Sequence, residues 1–207
     1  MAGRALIAGA GIGGLTAALA LSQTGFDVAI FERTRILEEF GAGIQLSPNA
    51  TRILAKLGAI EAVLAVALEP RAIRILRGRD GALLSLLPLE SAAKRWGAPY
   101  LVIHRADLQR VLVEQVARQA GISVTMDAPV GGLAADEAGV TLGFKRGLIS
   151  LRESGDLLIG ADGLRSIMRE RLGLGARDEA SFSGRVAFRA RIEARLAPPK
   201  CLESEVT

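Results

Sequence analysis

Glycines and one acidic residue near the start of the chain have the types and spacing that bind a dinucleotide. The glycines stand in the run Gly9-Ala-Gly11-Ile-Gly13-Gly14, and Glu32 follows about 20 residues further on. Gly9 permits a sharp turn, Gly11 lets a pyrophosphate approach the backbone, and Gly14 lets a helix pack close to a sheet. Glu32 can accept hydrogen bonds from both hydroxyls of a ribose, which argues against a 2′-phosphate but does not choose between NAD and FAD.

Two strands and a helix must hold this motif in place. The apolar runs Arg4–Ala8 and Asp27–Phe31 predict strands, and the segment between the glycines and Gly25 predicts a helix. The N-terminus of that helix would present free N–H groups and a partial positive charge to the phosphates. The uncharged stretch Ala5–Leu21 also permits a signal peptide or a membrane anchor. Its glycines disfavour a helix that spans a bilayer, so we expect no membrane partner.

Composition indicates an ordinary soluble globular protein. The chain has 207 residues, of which 50% are hydrophobic and 23% are charged, and its net charge is +4. The arginines are scattered rather than clustered with aromatic residues, which argues against a nucleic-acid partner. The single cysteine, Cys201, excludes a disulfide within the chain and favours a cytoplasmic location. With one histidine, His104, the chain cannot build a Cys/His cluster, so no metal is expected.

A glycine-rich segment follows the dinucleotide motif. Residues 41–46 predict a loop, whose backbone could lie along a flat ring if a dinucleotide binds beside it. Pro48 suits the first turn of a helix, because proline has no N–H to leave unpaired there. We expect that helix to carry Ile53, Leu54 and Leu57 along one face.

The remainder of the chain mixes strands and helices. The alternating hairpin at 71–87, with an Asp-Gly turn, breaks the βαβ rhythm and predicts an excursion into a second sheet. A helix after Arg105 is expected to end at Gly121, and a cation at its start opposes the helix dipole, which favours an anionic partner such as a phosphate. A second strand–glycine–helix unit contains Asp162, a residue equally consistent with a helix cap and with a ligand contact. Residues 196–207 show no strand pattern.

Four blocks of the sequence, in this order, resemble the flavin-dependent aromatic monooxygenases of the salicylate hydroxylase type. The blocks are residues 9–14 with Glu32 and Arg33, the segment 41–50 (GAGIQLSPNA), 104–108 (HRADL), and 160–163 (GADG) with Ser166 and Arg169. The resemblance implies an α/β fold, with a Rossmann-like FAD/NAD(P)-binding domain and part of an inserted β-rich substrate domain. It implies a FAD-binding domain at 1–175, with an excursion at 70–100 into the substrate domain, and an incomplete start of that domain at 176–207.

The resemblance also implies roles for individual residues. The implied cofactor-binding residues are Gly9, Gly11, Gly13 and Gly14 at the pyrophosphate, Glu32 and Arg33 at the adenosine ribose, Gly43, Ile44 and Gln45 at the flavin ring, Arg105 and Gln109 at the phosphate or sugar chain, Val130 near the adenine, and Asp162 near the ribityl–pyrophosphate region. Gln45 is the candidate catalytic residue, because its loop would bring a side chain near the reacting edge of the flavin.

The implied function is hydroxylation of a small aromatic substrate, similar to salicylate or another phenolic acid, by FAD with NADH or NADPH and O₂. The chain stops before a third family fingerprint, so we expect an N-terminal fragment that holds FAD weakly and does not hydroxylate. Other hypotheses are a vestigial FAD-binding domain, an epoxidase or reductase on the same scaffold, and an NAD-dependent dehydrogenase. Apolar residues such as Val186 and Phe188 could drive the formation of a homodimer.

Overall fold

Two units, each with sheets of its own, make up the structure. The computed structural model describes residues 3–37, 43–173, 181–186, 188, 192–197 and 205–206. The first unit comprises Met1–Glu39 with Leu112–Arg185, and the second comprises Phe40–Val111 with Val186–Thr207.

A four-stranded parallel sheet forms the centre of the first unit. Its strands are β1 (Arg4–Ala8), β2 (Asp27–Phe31), β7 (Ile122–Thr125) and β11 (Leu157–Gly160), in the spatial order β11-β1-β2-β7. Helix α1 (Ile12–Gln23) connects β1 to β2 and packs against both strands. The predicted first strand–helix–strand unit and the predicted α/β class are therefore confirmed.

An antiparallel sheet packs on one face of this parallel sheet. Its strands are β8 (Val130–Asp136), β9 (Gly139–Arg146) and β10 (Ile149–Gly155), in the order β10-β9-β8. Because side chains alternate along a strand, Leu6 and its register partner Ala29 share a face, and both join a buried cluster with Leu142 and Phe144 of β9. The rings of Phe31 and Phe144 lie 4.6 Å apart, centroid to centroid. Helix α6 (Ile167–Arg171) adds Met168 to the same cluster.

The second unit contains two small sheets and short helices. Its strands are β3 (Gly43–Leu46) paired with β6 (Leu101–His104), and the hairpin β4 (Ala72–Leu76) and β5 (Leu83–Pro88), with β12 (Glu205–Val206) beside β4. Its helices are α2 (Pro48–Lys56), α3 (Ile60–Leu64) and α4 (Ala92–Trp96). Helix α5 (Arg105–Ala117) follows β6 directly. The predicted hairpin is confirmed, and it lies in a sheet separate from the parallel one.

Several local expectations are wrong. Residues 43–46 of the predicted loop form a strand, because each of them pairs with a residue of β6, while 41 and 42 lie outside the described residues. Ile53 is 51% exposed, although Leu54 and Leu57 are buried as predicted. Helix α5 ends at Ala117 rather than at Gly121, since the next two N–H groups bond to carbonyls three residues back in a tighter turn.

The expectation for the last residues is also wrong. Glu205 and Val206 pair in parallel with Ala72 and Ile73, so part of 196–207 is a strand although its sequence shows no strand pattern. Within the ranges that the structure describes, no helix has the length and apolar character needed to cross a membrane. The stretch Ala5–Leu21, which permits an anchor by composition, is divided between β1 and α1.

Candidate functional site

The turn after β1 has a backbone conformation that glycine adopts readily and other residues rarely adopt. Gly9 has a φ of +103°, and its N–H donates to the carbonyl oxygen of Phe31 at 2.8 Å. A Cβ added to Gly9 would lie 2.5 Å from the carbonyl oxygen of Ala161, which follows β11. The sharp turn predicted at Gly9 is confirmed, and the neighbouring backbone leaves no room for a side chain.

Gly14 brings the first turn of α1 against this same turn of the chain. A Cβ added to Gly14 would lie 1.9 Å from the carbonyl oxygen of Gly9, far inside van der Waals contact. The helix can begin this close to β1 only because residue 14 has no side chain. The close packing predicted at Gly14 is therefore confirmed.

Gly11 and Gly13 differ from these two glycines because the space in front of them is open. A Cβ on either residue would meet no described atom within 4 Å. Gly11 is the N-cap of α1 with an ordinary extended backbone, at φ −69° and ψ 178°, and no side chain among the described residues caps the helix. The fold itself does not require glycine at residue 11. The uncapped N–H groups of the first turn of α1 and the helix dipole favour an anion in the open space. These features fit a pyrophosphate group.

Glu32 is a buried acid directly beside the glycine turn. It follows β2, is 8% exposed, and its Oε2 accepts the N–H of Ala10 at 2.8 Å. Its Oε1 accepts the backbone N–H of Thr34 at 2.9 Å and the Thr34 hydroxyl at 3.1 Å. Since a carboxylate accepts about four hydrogen bonds, two hydroxyls of a ribose can both bind only if one of these three bonds is given up.

The residues next to Glu32 were only partly identified from the sequence. Arg33 is exposed, and the following arginine, Arg35, forms an ion pair with Asp127 at 3.2 Å. Thr34 was not predicted to belong to the site, although a threonine two residues after an acid is a recognisable signal, because short hydroxyl side chains bond to nearby side chains and backbone. Asp127 carries the one positive φ, +53°, among the described residues other than glycine.

Asp162 acts as a helix cap in the first unit. Its carboxylate accepts the hydroxyl of Ser166 at 2.6 Å and the N–H groups of Ile167 and Met168 at 2.7 and 3.1 Å. Ser166 in turn accepts the N–H of Arg169 at 3.0 Å. Of the two roles left open by the sequence, the structure shows the capping role.

Val130 begins β8 at the edge of the buried cluster of the first unit. It pairs with Phe144 and is half-buried against that cluster. Its predicted place near an adenine remains a prediction.

The predicted flavin-contacting residues of the second unit lie on β3. Gly43, Ile44 and Gln45 pair in register with His104, Ile103 and Val102 of β6. Gln45 is exposed, and its Oε1 accepts a hydrogen bond from the hydroxyl of Tyr100 at 2.5 Å. Tyr100 was not predicted to have a role, because the contact depends on a pairing between distant segments.

Arg105 and Gln109 lie in the first turns of α5. Arg105 is half-buried, and Gln109 is only 5% exposed. The one acidic residue of the first turn, Asp107, pairs with Arg110 at 3.2 Å. The structure thus brings Gly9, Gly14 and Glu32 together within the first unit, and it brings Gln45 and Tyr100 together within the second.

Comparison with known proteins identifies a family for this arrangement. The profile of the family described as "FAD binding domain" matches residues 3–200. The 3-amino-4-hydroxybenzoate 2-monooxygenase of Streptomyces cremeus is 36% identical over 196 residues, which are 94% of this chain and 48% of the relative. The chain therefore spans about half the length of the curated relatives it matches.

Solved structures agree with the sequence relatives. A tetrameric form of 2-methyl-3-hydroxypyridine-5-carboxylic acid oxygenase is 34% identical, with a TM-score of 0.69 over 83% of this chain and 42% of the other. Klebsiella pneumoniae HpxO complexed with FAD and uric acid is 32% identical, with a TM-score of 0.67 over 80% of this chain and 40% of the other. The predicted resemblance to flavin-dependent aromatic monooxygenases and the predicted cofactor, FAD, are confirmed at the level of the family.

Proposed function

The chain belongs to the FAD-binding domain family, and from that premise we propose that it supplies the FAD-binding part of a monooxygenase that hydroxylates a small aromatic compound. The observation that carries the proposal is the open space before Gly11, at the uncapped N-terminus of α1 and beside the buried Glu32. A pyrophosphate and a ribose are the groups that these features suit.

We propose that this chain binds and orients FAD. When bound, FAD supplies the redox chemistry of such enzymes, with NADH or NADPH and O₂ as co-substrates. The N–H groups of α1 hold the pyrophosphate, and Glu32 and Arg33 hold the ribose. Gly43, Ile44 and Gln45 lie along the flavin ring.

The remaining predicted contacts complete this picture. We propose Arg105 and Gln109 at the phosphate or sugar chain, Val130 near the adenine, and Asp162 near the ribityl chain in addition to its capping role. The FAD-binding domain is proposed to extend over 1–175, with the hairpin at 70–100 and residues 176–207 belonging to a substrate domain.

The proposed substrate class follows from the relatives. The names of the Streptomyces cremeus monooxygenase and of the pyridine carboxylic acid oxygenase describe hydroxylated aromatic acids, so a phenolic or hydroxypyridine carboxylic acid is the class to test first. Because the chain matches just under half of each relative, a complete catalytic cycle is proposed for a protein of the relatives' length.

Retention of FAD and the effect of Gly11→Ala test the proposal. Wild-type chain is mixed with FAD, gel-filtered and examined for a flavin spectrum, and its Kd is measured by fluorescence titration. Gly11→Ala fills the open space and is expected to weaken FAD binding about tenfold or more, since contacts to a charged group contribute about 1.5–3 kcal/mol each. Its free energy of unfolding should fall by no more than about 1 kcal/mol, the cost of a poorer N-cap residue, because no described atom would clash with the added methyl group.

A matched control separates this effect from a general effect of adding a methyl group. Gly78 lies in the β4–β5 turn, and a Cβ there would also meet no described atom within 4 Å. Gly78→Ala should bind FAD as the wild type does. Equal affinities for Gly11→Ala and the wild type would contradict the proposed site.

We also propose that the chain self-associates and is located in the cytoplasm. Val186 and Phe188 are 65% and 94% exposed, and four leucines of β5 are also exposed, so apolar surface is available for a second copy. The single cysteine supports a reducing compartment. Light scattering on the purified chain would find a monomer if the proposed homodimer is wrong.

A further inference from the structure

One hydrogen bond in the second unit fixes the orientation of a predicted flavin-contacting side chain. The hydroxyl of Tyr100 donates to Oε1 of Gln45 at 2.5 Å. Gln45 pairs with Val102, and Tyr100 precedes Val102 by two residues, so the two side chains form a diagonal pair on one face of the β3–β6 ladder. Gln45 is exposed, whereas Tyr100 is only 8% exposed.

The Tyr100 ring is held from several sides. It belongs to a buried cluster with Leu89 and Ala92. The carbonyl oxygen of the preceding Pro99 accepts the hydroxyl of Thr51, a fully buried residue of α2, at 2.8 Å. Val102 exchanges two backbone hydrogen bonds of 2.8 Å with Leu68 on the other side of β6. These contacts hold the Tyr100 ring and its phenol oxygen in place. The exposed Gln45 side chain is therefore oriented by its hydrogen bond to that oxygen.

The hydrogen bond itself shows which end of the Gln45 amide faces the tyrosine, since the Tyr100 hydroxyl donates to Oε1. Burial raises the pKa of the Tyr100 hydroxyl, so the phenol is protonated at neutral pH and can donate. A glutamine amide has one acceptor end, Oε1, and one donor end, Nε2. Because Oε1 is turned toward the phenol, the opposite end of the amide, Nε2 with its two N–H groups, is the end turned away from Tyr100 and left for a ligand.

We propose that Tyr100 is a positioning residue for Gln45, holding its Oε1 so that Gln45 acts toward the flavin ring as a hydrogen-bond donor and not as an acceptor. This inference rests on the function proposed above, since it assumes that FAD lies along β3. The isoalloxazine ring carries carbonyl oxygens and ring nitrogens that accept such bonds. Tyr100 itself acts only through Gln45.

Three substitutions test the proposal by FAD affinity in the 207-residue chain. Tyr100→Phe removes the hydroxyl and keeps the ring in its cluster, and Gln45→Ala removes the amide. Gln45→Glu keeps an acceptor for Tyr100 but removes the N–H donors. Each is expected to raise the Kd for FAD about two- to tenfold, because one neutral hydrogen bond contributes about that much.

The double variant distinguishes positioning from independent effects. If Tyr100 acts through Gln45, Tyr100→Phe combined with Gln45→Ala binds FAD no more weakly than Gln45→Ala alone. If the Kd of the double variant instead rises by the product of the two single effects, the proposal is overturned. Wild-type affinity in Gln45→Glu would overturn it as well. Ile73→Val is the control for a merely structural role. It trims the same cluster and should leave the Kd unchanged.

A second readout does not depend on FAD. In the ligand-free chain, the side-chain NH₂ signals of Gln45 in an NMR spectrum should shift in Tyr100→Phe, because the hydrogen bond at Oε1 is lost. Unchanged Gln45 signals would overturn the proposal whatever the affinities show. If the wild type binds no FAD but this shift is observed, the proposed function fails while the Tyr100–Gln45 contact is supported.

Discussion

Two adjacent glycines of α1 should respond in opposite ways to the same substitution. A Cβ at Gly14 would lie 1.9 Å from the carbonyl oxygen of Gly9, whereas a Cβ at Gly13 would meet no described atom within 4 Å. Alanine favours a helix over glycine by up to about 1 kcal/mol at either position. The difference between the two variants therefore isolates the contact with Gly9.

The size of the Gly14→Ala effect follows from what must move. Relief of the clash needs a shift of about 1.6 Å, if carbon and oxygen are to move from 1.9 Å to a separation of about 3.5 Å. The obstacle is backbone and not the end of a flexible side chain, and Gly9 is itself fixed by its bond to Phe31. Overpacking of this kind costs about 1–3 kcal/mol or more. We expect Gly14→Ala to be about 3 kcal/mol less stable than Gly13→Ala, a factor of roughly 100 in the unfolding equilibrium.

Urea denaturation followed by far-ultraviolet circular dichroism measures this difference. Both variants are compared with the wild type without FAD, so that ligand binding does not contribute to the free energy of unfolding. The slope of free energy against urea should be the same in all three, since the surface exposed on unfolding is unchanged. Equal midpoints for Gly13→Ala and Gly14→Ala would refute the argument that close packing, and not turn geometry alone, requires glycine at residue 14.

Three further variants or measurements test other parts of the two units. Asp162→Ala should lower the free energy of unfolding by about 1–2 kcal/mol, because two N–H groups at the start of α6 lose their cap; a change below about 0.3 kcal/mol in urea would contradict the capping role. Glu32→Ala removes the carboxylate that accepts the buried N–H of Ala10, so we expect a loss of about 1–3 kcal/mol in stability and weaker FAD binding by titration. Tyr100 is the only tyrosine, so phenolate absorbance reports its pKa directly, and the pKa should exceed the ordinary value of about 10 in the folded chain and fall back to it in denaturant. Since the folded pKa is raised, the contribution to stability is present below pH of about 10 and is lost as pH rises through the folded pKa; a folded pKa at or below the denatured value would contradict the burial argument.

The first strand–helix–strand unit could be predicted because its constraints are local. The turn at Gly9 and the contact of Gly14 with Gly9 lie within six residues, and their spacing is itself the signal. Strand β3 could not be predicted in this way. Its pairing partner is β6, more than fifty residues later, and a glycine-rich segment has a weak strand propensity of its own. The five-residue helices α3 and α4 are too short for their periodicity to be recognised.

Exposure explains two further differences between sequence and structure, at β10 and at Ile53. All six residues of β5 are exposed, yet alternation across a clear turn still identified the hairpin. Strand β10 has no buried residue, and its alternation of apolar and polar residues covers only 149–152, so it was not predicted. Ile53 was predicted to be buried, because it is an apolar residue at a helical spacing. In the structure it is half exposed. An isoleucine at the surface is ordinary, so apolar type alone does not define a buried face.

The polar partners of the candidate site also differ in whether the sequence alone could have identified them. Thr34 lies two residues from Glu32, so its bonds to the carboxylate depend only on the local turn and could be sought in the sequence. Tyr100 lies 55 residues from Gln45, and their contact exists only because β3 and β6 pair in one particular register. A shift of that register by one residue would place the two side chains on opposite faces of the ladder. The motif therefore predicts which residues meet the proposed cofactor, whereas the orientation of Gln45, and with it the proposed choice between donor and acceptor, depends on tertiary structure.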